Sequence, residues 1–180
     1  MSLLAFTRAC NKCMRPICTE WSFGRGQSCE DGDMWRVEFK SSQVGVVFEY
    51  HIREALTVLK VGQLVDGEIV DYLDVPPPGT KMHTFHFSHI WRLRHPESCD
   101  IFDAHGTNIR ETVASYATAL QLYGMDIVAG DFSVFPSIEK LVRRNSRNRF
   151  PNKVELEAVA KSLIAKFPSL KRFYPKDFSQ

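Results

Sequence analysis

The chain has 180 residues, 44% of them hydrophobic and 12% aromatic, and a formal net charge of +2 at pH 7. That length suits a domain with a sizeable core, and that composition excludes general disorder. The sequence has no apolar run near the roughly 20 residues that span a bilayer, which argues against a helical membrane protein.

The first 32 residues read as a cysteine-rich arm that ends in the turn signals of CEDGD. Cys10, Cys13, Cys18 and Cys29 are spaced C-x2-C-x4-C-x10-C, and four thiolates suffice for one tetrahedral structural zinc. The second pair lacks a tight spacing, so free thiols in a reducing compartment are the competing reading. With Cys99 the count is an odd five, and neither a hydrophobic signal segment nor a glycosylation sequon is present, which points to an intracellular location, cytoplasm or nucleus. Arg8, Lys12 and Arg15, with no acid before Glu20, match an organelle-targeting presequence and leave a mitochondrial location as the alternative. FGRGQS, residues 23–28, lacks the Gly-Lys-Ser/Thr ending of a phosphate loop and reads as a turn.

Met34–Lys40 reads as a strand with Trp35, Val37 and Phe39 on one face, and Val44–Tyr50 as a second. HIREALTVLK, 51–60, places Ile52, Leu56 and Leu59 at helical spacing and predicts a short helix. Asp66-Gly67 between apolar residues predicts a hairpin turn. Pro76–Gly79 then break the chain, and KMHTFHFSHIWRLRH, 81–95, predicts a strand rich in Thr, Phe, Ile and Trp. In such a strand His83 and His89 share a face about 20 Å apart, at roughly 3.3 Å per residue, while His86 faces the other way, so the three cannot hold one metal.

CDIFDA, 99–104, reads as a strand and IRETVASYATALQLY as a helix, capped by Asn108 with Glu111 and stopped by Gly124. Ile109, Val113, Tyr116, Ala117, Leu120 and Tyr123 form its apolar stripe. MDIVAG, 125–130, supplies a further strand. PSIEKLVRR and VELEAVAKSLIAKF are helical, joined by the basic RNSRNRFPNK. The expectation is an α+β fold: a mixed-sheet core over 33–134, preceded by the 1–32 arm and followed by a basic two-helix extension over 135–180.

Charge is unevenly distributed. Residues 140–180 carry eleven Lys and Arg against three Asp and Glu, or +8; residues 1–139 carry twelve against eighteen, or −6, and the two sum to +2. Lys140, Arg143, Arg144, Arg147, Arg149 and Lys153 are the candidate nucleic-acid-binding residues, with Asn145, Asn148 and Asn152 interleaved and Phe150 available to stack. The function expected is non-enzymatic binding or assembly, with RNA, DNA or an acidic protein as partner and no cofactor beyond the zinc considered above. A different class is a small hydrolase or transferase built on DAHGTN, where Asp103 and His105 lead into a helix N-terminus and His86 joins them. No nucleophile motif or cofactor fingerprint accompanies it. A third reading is a structural subunit of a larger, organellar assembly.

Overall fold

The first element is a helix because Ser2 accepts a hydrogen bond from the Ala5 N–H and apolar residues then recur at helical spacing. This helix, α1 (Leu3–Trp21), buries Phe6, Cys10, Met14 and Ile17. The segment expected as a coreless arm therefore contributes to the core. Cys10 is one of the buried positions, and a cysteine there hid the amphipathic period. The structure, a computed structural model, describes residues 2–71, 79–94 and 108–149.

Four strands follow as an antiparallel meander: β1 (Gln27–Asp31), β2 (Met34–Lys40), β3 (Val44–His51) and β4 (Leu56–Val65). Asp66 and Gly67, both at positive φ (54° and 77°), turn β4 into β5 (Glu68–Ile69), as the Asp-Gly signal predicts. β6 (Thr84–His86) pairs with β4, placing Thr84 opposite Gly62, Phe85 opposite Val61 and His86 opposite Lys60. The fold is α+β, and every described strand pairing is antiparallel.

Four expectations are corrected. Residues 51–60 do not form a helix: a turn at Ile52–Ala55, with Ala55 at φ 49°, leads into β4, because a ladder against β3 satisfies the Thr57-Val58 backbone better than a short helix. The histidine segment is strand only over 84–86 and becomes α2 (Phe87–Arg94). MDIVAG is no strand but contains the short α4 (Met125–Val128), directly after α3 (Ile109–Tyr123). The described C-terminal helix is α5 (Phe135–Arg149), which runs past the expected PSIEKLVRR helix into the segment read as a basic connector; CDIFDA and VELEAVAKSLIAKF lie outside the described residues. Asn108 caps α3 as expected, accepting from the Glu111 N–H, and the α3 C-terminal N–H of Gly124 donates to the Leu120 carbonyl.

The core lies on one face of the sheet. Trp35, Val37, Phe39, Val46, Phe48, Leu59 and Val61 meet the apolar faces of α1 and α3 there, and the buried Tyr116 hydroxyl donates to the Thr57 carbonyl at 3.3 Å. Phe6, Trp35 and Tyr50 form a tilted aromatic cluster with ring centroids 5.4–6.3 Å apart. α5 buries Phe135, Ile138 and Val142, and Phe135 meets Phe85 edge-on at 4.8 Å.

Close approach explains Gly62. A Cβ there would lie 2.6 Å from the His83 carbonyl oxygen and 2.9 Å from the Thr84 Cα, so β6 backbone would have to move. At Gly45 the nearest atoms belong to the flexible side chains of Ile69 and Leu64. Gly62→Ala is expected to lose about 1–3 kcal/mol of stability and Gly45→Ala distinctly less, as measured by urea denaturation of both variants.

Candidate functional site

The second face of the sheet is charged. In β2 the alternation that sends Trp35, Val37 and Phe39 to the core sends Arg36, Glu38 and Lys40 to the opposite side. Glu49 stands directly across from Arg36 in β3, and Lys60 projects from β4 on the same face. β5 and the residues after it, as far as Asp71, lie over this face. Glu68 reaches Lys40 at 2.6 Å, Ile69 covers Gly45, and Asp71 lands between Arg36 and Lys60 at 3.2 and 2.7 Å.

A closed network results. Arg36 also contacts Glu38 at 2.6 Å and Glu49 at 3.1 Å, Lys60 contacts Glu49 at 2.9 Å, and His51 stands 3.7 Å from the same carboxylate. The Glu49 and Lys60 side chains are only 2% and 8% exposed, so these charges have left water and need one another. Burial pushes the Glu49 carboxyl up, but His51, Lys60 and Arg36 more than offset it and hold the group at about 2. Burial also opposes the charge on Lys60, and Asp71 and Glu49 outweigh it to raise the ammonium pKa. The His51 imidazole is raised by the Glu49 carboxylate against partial burial. Arg36 and Lys60 face the three carboxylates Glu38, Glu49 and Asp71, so a protonated His51 brings the cluster to charge balance. A carboxylate held this far below neutral is a poor proton-transfer group at pH 7.

The residues expected from sequence are dispersed. Cys10, Cys13 and Cys18 lie on α1 and Cys29 on β1, all as free thiols. Burial raises the thiol pKa of all four, with Cys13 adding to the effect at Cys10. Among the described residues no three His, Cys, Asp or Glu side chains are grouped as metal ligands. His86 faces the same side as Lys60, and its ring lies 5.7 Å from that of His89. The strand-to-helix change at Phe87 brings together two imidazoles that a continuous strand would have separated. Asp103 and His105 lie outside the described residues.

Of the basic set, Lys140 and Arg144 are exposed on α5. Arg143 is engaged: its guanidinium contacts Glu139 and donates to the Thr80 carbonyl oxygen, tying α5 to the segment before β6. Positions 147 and 149 continue α5, and Lys153 lies outside the described residues. The charged cluster on the sheet went unseen in the sequence reading, although a lysine inside the apolar run LTVLKV and a glutamate inside VGVVFEYH are its signals.

Comparison with known proteins finds no matching family model, no matching curated protein and no matching solved structure. Among the described residues no helix is long and apolar enough to cross a membrane.

Lys60→Met would leave Glu49 and Asp71 short of their buried cation, with an expected loss of about 3–5 kcal/mol by chemical denaturation. The Glu49 pKa is lower in the folded chain than the ordinary 4.5. Its contribution to stability is therefore complete above that value and drains away as pH falls toward about 2. Urea titrations of the wild-type chain from pH 6 to 2 should show this acid-side loss, and in Lys60→Met the loss should begin at higher pH.

Proposed function

We propose that the protein is a non-catalytic binding protein whose helix α5 presents a basic face to a polyanion, and we take nucleic acid as that polyanion. The observation that carries this reading is the placement of Lys140 and Arg144 one turn apart, both exposed, on a helix whose opposite side buries Phe135, Ile138 and Val142. The one acid within α5, Glu139, is occupied by Arg143. Arg143 thus anchors the helix, and the neighbouring cations are left to a ligand.

Charges fixed on an anchored helix lose little freedom on binding, and phosphate groups would release counterions as they meet them. The surplus of basic residues over 140–180 supports the same reading from the sequence. Free thiols on α1 and β1 suit an intracellular setting. An acidic protein surface is the outcome that the nucleic-acid measurement separates from this proposal.

The test is fluorescence anisotropy of labelled single-stranded RNA and duplex DNA with the full chain, over a series of salt concentrations. Binding should weaken steeply with salt. Lys140→Glu combined with Arg144→Glu should weaken it more than about ten-fold and lower the salt slope by about 1.8 on duplex DNA and about 1.4 on single-stranded RNA, two phosphate contacts at roughly 0.9 and 0.7 each. Affinity that is absent, indifferent to salt or unchanged in the double variant would overturn the proposal.

A further inference from the structure

Strand β1 ends the sheet with every residue exposed, and among the described residues no strand pairs with its outer edge. The β1–β2 hairpin fixes which backbone groups that edge presents. Its loop is the two residues Gly32 and Asp33, Gly32 at φ 58°, between the paired Asp31 and Met34. In a two-residue hairpin the flanking residues are a hydrogen-bonded pair, and hydrogen-bonded and non-hydrogen-bonded pairs alternate from there. Asp31, Cys29 and Gln27 accordingly direct their backbone groups toward β2. Ser28 and Glu30 direct theirs outward.

We propose that this edge receives the β1 edge of a second copy of the chain, antiparallel and centred on Cys29. In that register Ser28 of each copy faces Glu30 of the other as a hydrogen-bonded pair, so the two outward residues of each strand supply four backbone hydrogen bonds. Gln27 faces Asp31 and Cys29 faces Cys29. The side-chain order RGQSCEDGD, residues 25–33, is cationic at one end and acidic at the other. Antiparallel self-pairing therefore sets Arg25 against the partner's acidic turn, where Asp33 already contacts Arg53 at 2.7 Å.

The neighbouring registers are worse. Centring on Glu30 opposes two like charges. Centring on Ser28 calls on the Gly26 backbone to pair with Glu30, yet the Gly26 N–H already donates to the Asn11 side chain at 3.1 Å. A five-residue strand pair buries far less than the roughly 1,200 Å² typical of stable complexes, so the dimer is a weak one that forms at high concentration.

Sedimentation equilibrium of the full chain under reducing conditions, with amide exchange followed by NMR across the same concentrations, tests this. Dimer should grow with concentration, and exchange at Ser28 and Glu30 should slow in step, while Cys29 is protected throughout. Ser28→Pro removes an outward N–H without touching a β1–β2 bond and should weaken dimerisation at least ten-fold. Arg25→Glu, which lies outside the strand, should weaken it as well and serves if the proline loosens the hairpin. A monomer up to millimolar concentration, protection of Ser28 and Glu30 that does not vary with concentration, or a dimer unaffected by both variants would overturn the proposal.

Discussion

Lys60 is the fixed point of this structure. It leaves β4 in the middle of an apolar run, on the face of the sheet turned away from the helices, and holds Glu49 at 2.9 Å and Asp71 at 2.7 Å while itself nearly inaccessible to water. A sheet with helices over one face alone can leave the other to solvent. Here β5 and the residues after it, as far as Asp71, lie over that other face, so whatever they cover must be apolar or paired. Ile69 over Gly45 is the apolar part of the arrangement, and Asp71 between Arg36 and Lys60 is the paired part.

An ion network of this kind is not an economical way to gain stability, since desolvation of its members offsets much of their mutual attraction. What it supplies is position. Apolar contacts tolerate sliding, whereas a carboxylate shared by a guanidinium and an ammonium has few equivalent placements. β6 carries the chain into α2 and faces α5 through Phe85 and Phe135. Arg143 returns from α5 to the Thr80 carbonyl. The placement of α5 as a platform for its exposed cations thus rests on its contacts with β6 and with Thr80.

The parts of this arrangement legible in the sequence were those governed by local chemistry. Alternation in MWRVEFK, the Asp66-Gly67 turn and the Asn108 cap each determine their structure within a few residues. Leu56–Lys60 shows where this fails, because helical spacing there competed with a ladder partner that only the tertiary fold provides. α1 was obscured for another reason: cysteine draws attention as a ligand, yet Cys10 serves as a small apolar residue in the core. The network itself joins residues 36, 38, 49, 60 and 71, and strand pairing alone brings most of them together, so no sequence spacing announces it. The basic face of α5 was legible as a surplus of charge, but the difference between Arg143, which is engaged, and Lys140 and Arg144, which are exposed, needed the packed helix.

Asp71 fastens the chain after β5 to the sheet through Lys60, and a double-mutant cycle on these two residues tests that contact. Stability would be measured for the wild-type chain, Lys60→Met, Asp71→Asn and the double variant. A coupling energy above about 1 kcal/mol is expected, as for contacting members of one buried network. Losses that add to within about 0.5 kcal/mol would show that the two residues act independently and would contradict it.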